Sequence, residues 1–241
     1  MAASSTNNLK LAEKGVWVSI IAYIVLSIGQ IAFAAIVHSS ALQANGFNNV
    51  TDIMGNIAIL IGLRLARIPA DSDHVYGHWK IESIASLISS FIMFFVGFEV
   101  LRETVMTLLS GKEEAIDPLG ALVGLFSAFV MLGVYLYNRA LAKKTNSQAL
   151  SAASKDNLSD AVTSIGTVVA ILASSVGWEW LDTAMAIVIC GFILKTAYDI
   201  FHESVFSLSD GFDENLVEEY REAICLVPKV KGVKLVRGRS Y

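Results

Sequence analysis

Apolar residues in this chain do not alternate with polar ones; they run in long blocks separated by polar connections. Six blocks are about 20 residues or longer: Val16–Val37, Leu42–Leu65, Ile84–Leu109, Pro118–Asn138, Leu150–Ser174 and Trp178–Phe201. At roughly 1.5 Å per residue, each is long enough to cross the hydrocarbon core of a bilayer as a helix. Pro69, Pro118 and Pro228 all fall between blocks, and Asp117-Pro118 reads as an N-cap followed by proline at the first helical position. The pattern predicts an all-α membrane protein with six transmembrane helices.

Two of the blocks are interrupted by polar residues at a four-residue spacing. Asn48-Asn49-Val50-Thr51-Asp52 matches Asp156-Asn157-Leu158-Ser159-Asp160 in chemical character at every position, at a constant offset of 108 residues. With three helices per half, the second and fifth helices run in opposite directions, so the match predicts an inverted three-helix repeat. Counted from opposite membrane faces, both pairs then lie roughly 9–15 Å deep and are able to meet near the midplane.

Composition agrees with the blocks. Hydrophobic residues make up 54% of the 241 and charged residues 17%, and the mean hydropathy is +0.58. Such values lie outside the range of a soluble domain. The formal charge of −4, without a basic run or an aromatic platform, gives no reason to expect nucleic acid as a partner. Lys10, Lys14, Arg64, Arg67, Lys80, Arg139, Lys143 and Lys144 fall on one side of the predicted membrane, and only Lys112 on the other. The positive-inside bias places both termini in the cytoplasm. Trp178 and Trp180 fit an aromatic belt at the outer interface.

The polar start Met1–Lys14 has no small-residue cleavage site and reads as a cytoplasmic segment, not a cleaved signal. Cys190, inside a block, and Cys225, in the polar tail, argue against a disulfide framework. The expected division is residues 1–15 as an N-terminal segment, 16–208 as the membrane domain and 209–241 as the beginning of an incomplete cytosolic domain. In that tail, Asp213–Leu226 has the apolar spacing of a helix, and Gly232–Arg237 reads as a strand.

A carboxylate in hydrocarbon is costly, so three of them in two membrane-length blocks call for a compensating cation. Asn48, Asp52, Asp156 and Asp160 offer oxygen only, a set suited to Mn²⁺, Mg²⁺ or Ca²⁺, whereas zinc sites usually recruit His or Cys. The bland alternative is that these groups cap kinks or bond neighbouring helices. Lys155 is either a counter-charge to the aspartates or a snorkelling residue pointing away, and Asn45 and Asn49 read as helix-packing groups. In the polar connection, Asp71, His74 and His78 form a second candidate metal set; the alternative is a plain loop in which His78 and Glu82 stabilise the start of the third helix. Glu99, Arg102 and Glu103 read as mutual partners near the outer interface.

With its six blocks, the connection P-A-D-x-D-H-x-Y-G-H-x-K-x-E, the polar pairs in the second and fifth helices, and the start of a tail, the chain resembles the cation diffusion facilitator family of divalent-metal transporters. The resemblance implies a homodimer in the cell membrane that exports a divalent cation in exchange for protons, with no resident cofactor and with a ferredoxin-like cytosolic domain. Zinc members carry D-x3-D and H-x3-D; here Asn48, Asp52, Asp156 and Asp160 occupy those positions, with Asp156 in place of the histidine. That departure is similar to the manganese-exporting branch and makes Mn²⁺ the expected cargo, with Zn²⁺, Fe²⁺, Co²⁺ or Cd²⁺ as alternatives. The resemblance also implies a secondary zinc site at Asp71, His74 and His78, and an inter-subunit charge interlock at Lys80 and Asp210. Two other classes compete. An intramembrane aspartyl protease would use two aspartates, but its usual G-x-G-D context is missing; a passive cation channel would build a ring of like groups around a pore.

Overall fold

The computed structural model describes the chain except residues 1, 38–39, 111–117, 176–177, 179, 213, 229 and 239–241. His38, Lys112 and Asp117 therefore lie outside the described residues, as do the side chains of Glu103 and Trp180. Seven helices account for most of the rest: α1 (Ala2–Val37), α2 (Ser40–Leu65), α3 (Lys80–Ser110), α4 (Pro118–Thr145), α5 (Gln148–Ser175), α6 (Trp180–Leu208) and the short α7 (Glu214–Cys225). No strand occurs among the described residues.

Among the described residues, four helices are long and apolar enough to cross a membrane: Asn7–Ile36, Lys80–Met106, Ala121–Thr145 and Ala184–Leu208, that is α1, α3, α4 and α6. α2 and α5 are as long, but their polar residues dilute the apolar content. Those are the two helices that carry the repeated motif. A helix with Asn48, Asn49, Asp52 and Asn56 on its surface needs protein around it, and so does one with Asp156, Asn157 and Asp160. α5 accordingly packs against each of the other five long helices, and α2 against α1, α3 and α5.

Three apolar clusters hold the bundle. At the end carrying the α4–α5 connection, Val16, Ile20, Ile59, Leu63, Ala142 and Leu150 join α1, α2, α4 and α5. Met93, Ala152, Ile193, Ala197 and Ile200 join α3, α5 and α6. Midway along, Tyr23, Leu26, Met131 and Ala161 join α1, α4 and α5. Many buried positions are small, and these allow close helix approach. Gly62 of α2 shows this: a Cβ there would lie 2.3 Å from that of Ala85 in α3. Many large apolar side chains are exposed, among them Ile28, Met54, Phe95, Leu122 and Phe129. That outward distribution suits a chain whose surroundings are hydrocarbon.

α1 extends back to Ala2, so the residues ahead of the first apolar block continue its helix; Leu9 and Ala12 pack on the first apolar cluster, and Glu13 binds Arg64 and Arg67 of α2 at 2.8 and 2.9 Å. One expectation is corrected. Residues 232–237 are irregular instead of a strand, because no second strand among the described residues offers their backbone groups a partner.

Candidate metal centre

The α4–α5 connection sets the register of α5. Asn146 takes a left-handed conformation (φ 53°) that ends α4, and Ser147 accepts the amide of Leu150 at 3.2 Å as the N-cap of α5. Glu82 of α3 completes the cap. Its carboxylate accepts the Ser147 hydroxyl at 2.5 Å and the Ala149 amide at 3.1 Å, at the positive end of the helix. Sequence reading assigned Glu82 to its own helix and missed this role.

Two and three turns into α5, Asp156 and Asp160 stack on one face and meet Asp52 of α2. One oxygen from each of these half-buried carboxylates lies within 4.8 Å of the others. The cluster lines a cavity between α2, α3, α5 and α6 whose wall also includes Ser89, Met93 and Ser159. Asn48 stands one turn away on α2 and is exposed; its amide donates to Asp52 at 3.3 Å, and it does not line the cavity. Three like charges this close in low dielectric repel strongly, and a divalent cation among them is the simplest compensation.

Behind α5 lies a polar network that sequence reading also missed. The hydroxyl of Tyr23, fully buried on α1, donates to Asp160, lies 3.4 Å from an oxygen of Asp156 and accepts the amide of Asn157 at 3.1 Å. Asn138 of α4 donates to Asn157 at 3.0 Å and to Ser19 of α1 at 2.7 Å. A matching trio serves α2: Asn49 donates to Gln30 of α1 at 2.8 Å, and Gln30 to Ser127 of α4 at 2.9 Å. The 108-residue offset carries Asn49 to Asn157, Gln30 to Asn138 and Ser19 to Ser127, so the trios correspond residue by residue with α1 and α4 exchanging roles. Extending the offset into the first and fourth blocks would have found these residues from sequence. It takes Tyr23 to Met131, which is also fully buried but has no hydroxyl.

Lys155 points away from the aspartates and binds Glu203 of α6 at 2.8 Å. In the α2–α3 connection, Asp71, His74 and His78 converge at the surface with one ligand atom each within 4.8 Å. Asp71 accepts the amides of His74 and Asp73 at 2.6 and 3.0 Å, and its carboxylate faces His74 Nδ1 at 3.2 Å and His78 Nε2 at 3.6 Å. The His74 amide, with the other donors, holds the Asp71 carboxyl below the usual range. Lys80 pairs with Asp210 of the same chain and donates to the Leu208 carbonyl at 3.2 Å, tying the start of α3 to the end of α6. Arg102 binds Glu99 at 2.8 Å.

Long apolar helices around a half-buried acidic cluster are the architecture of a multi-pass membrane protein. The comparisons make the class specific: residues 16–209 match the model of the cation efflux transmembrane domain, and the chain belongs to the cation efflux family. It is similar to the manganese efflux system protein MneS of Bacillus subtilis, 47% identical over 97% of this chain and 80% of the relative. The uncharacterized transporter YdbO of the same organism is 42% identical over 97% and 81%. The manganese efflux system protein MneP, again from Bacillus subtilis, is 28% identical over 96% and 80%.

Proposed function

We propose that this chain exports Mn²⁺ from the cytoplasm in exchange for protons, through a midplane site built by Asp52, Asp156 and Asp160 with Asn48 alongside. The observation that carries the reading is the convergence of three carboxylates from α2 and α5 within 4.8 Å inside an apolar bundle. The all-oxygen donor set favours a hard cation over zinc, and the two relatives named for manganese efflux support that choice. All six long helices span the bilayer of the cell membrane with both termini cytoplasmic; the acidic residues of α2 and α5 face their neighbours while apolar ones such as Met54 and Leu172 face outward. The cation enters from the cytoplasmic side, and rocking of the two halves exposes it outward. Release leaves three like charges together in low dielectric, and protons are the charges available to balance them on the return step.

The remaining expectations join the same reading. Asp71, His74 and His78 form a secondary cation site at the membrane surface, where the ionised Asp71 supplies the charge and the imidazoles favour a softer metal such as zinc. Residues 209–241 begin a ferredoxin-like cytosolic domain, and the transporter is a homodimer. Reconstituted in vesicles with an outward-directed function assay, the wild type should move Mn²⁺ against its gradient when protons flow the other way. Asp160→Asn should abolish this flux. Wild-type flux in that variant, or flux indifferent to the proton gradient, would defeat the proposal.

A further inference from the structure

We propose that Tyr23 sets the cation preference of the acidic site by occupying one oxygen of Asp160, so that this carboxylate meets its cargo through the other oxygen only. The inference rests on the reading of Asp52, Asp156 and Asp160 as the transport site. A phenol has one proton to donate. The amide of Asn157 donates to the Tyr23 oxygen at 3.1 Å, so that oxygen is the acceptor there and its own proton turns to the carboxylates, donating to Asp160 with Asp156 Oδ2 at 3.4 Å. Neither partner is free to swing. The ring is fully buried among Leu26, Met131 and Ala161, and Asn157 is fixed by Asn138 and Ser19.

The two oxygens of Asp160 are therefore not equivalent. Large cations such as Ca²⁺ take six to eight oxygens and favour carboxylates that bind through both, whereas smaller ones take near-octahedral sets of single oxygens. A hydroxyl holding one oxygen disfavours the two-oxygen mode at Asp160. The 108-residue offset carries Tyr23 to Met131, whose thioether has no proton to give, so the repeat supplies this hydroxyl in one half only. Tyr23 acts through Asp160 as a positioning residue, not as a ligand.

The test is cation competition in vesicles containing the reconstituted full chain, as wild type, Y23F and D160N, with Mn²⁺ as the transported ion and Ca²⁺ as competitor. Y23F keeps the buried ring and removes only the hydroxyl. Loss of a group that orients a ligand should raise the apparent KM for Mn²⁺ about tenfold, while inhibition by Ca²⁺ holds or strengthens, so the Mn²⁺ to Ca²⁺ preference falls about tenfold. An unchanged preference ratio, whether or not both affinities fall together, would overturn the proposal. D160N separates the two readings. If it transports as wild type, the site assignment fails and the role of Tyr23 with it; if it is inactive and Y23F keeps the wild-type ratio, only the role of Tyr23 fails. Should Y23F not reconstitute, the same ratio is read on Asn157→Ala, which frees the hydroxyl to turn: a smaller fall supports the proposal, and an unchanged ratio overturns it.

Discussion

α2 and α5 carry the same five-residue pattern, yet the bundle treats them differently. On α5, Asp156 and Asp160 are backed by Tyr23, and the intervening Asn157 is tied to Asn138 and Ser19. On α2, the Asp52 carboxylate accepts a bond from the exposed Asn48 at 3.3 Å, and Asn49 is tied to Gln30 alone. α5 touches every other long helix; α2 touches three. A repeat in sequence thus builds one anchored wall and one looser wall of the same site.

The largest expected effect tests whether the walls share one cation. Asp52→Asn and Asp160→Asn should each lower Mn²⁺ flux in vesicles by more than the roughly 100-fold that loss of an outer partner costs at a metal site. Equal losses on the two helices mean one shared site. Flux that survives in Asp52→Asn but not in Asp160→Asn would show that α5 alone holds the ion, and the comparison would break.

Anchoring should also appear as stability. Interhelical hydrogen bonds in membranes are worth about 0.6 kcal/mol on average, with a maximum near 1.7. Asn157 exchanges bonds with Ser19, Tyr23 and Asn138, so Asn157→Ala should destabilise the protein by roughly 2 kcal/mol. Asn49→Ala removes a single bond to Gln30 and should lose roughly 0.6 kcal/mol. Thermal unfolding in detergent compares them directly, and equal losses would mean that the walls are equally anchored.

How much of this was legible in the chain depended on whether a signal was local. The blocks and the acid pairs are local features of composition and spacing, and they point to the membrane class and to Asp52, Asp156 and Asp160 directly. Glu82 was misread because its partners, Ser147 and Ala149, lie 65 and 67 residues away; a carboxylate near a helix start looks like that helix's own cap. Tyr23 was passed over because a lone tyrosine in an apolar block usually marks packing or an interface. Its role needed the fold to bring α1 against α5. The polar trios were within reach, since the offset that joins Asn49 to Asn157 also joins Gln30 to Asn138.

Glu82 supplies a middle-sized test. As the carboxylate at the start of α5, it holds the anchored wall at its end instead of at the cation. Replacing its charge in Glu82→Gln should cost about 1 kcal/mol, the scale of an anion at a helix N-terminus. The loss should appear in unfolding, with the apparent KM for Mn²⁺ unchanged. A variant that alters the KM without altering stability would move Glu82 from helix cap to participant in transport.

Lys155 should give the smallest effect, and it decides between two roles left open by sequence. Next to Asp156 in the chain, a lysine looks like a counter-charge for the empty site. Successive helix positions point about 100° apart, and here the ammonium reaches Glu203 on α6, with both side chains partly exposed. An exposed pair of this kind is worth about 0–1 kcal/mol. Lys155→Met should therefore leave Mn²⁺ flux and its dependence on the proton gradient within about twofold of wild type. A counter-charge would behave otherwise: without it, the emptied site would need an extra positive charge, and the pH at which flux is half-maximal would shift. Such a shift would place Lys155 within the electrostatics of the site and make α5 a wall that balances part of its own charge.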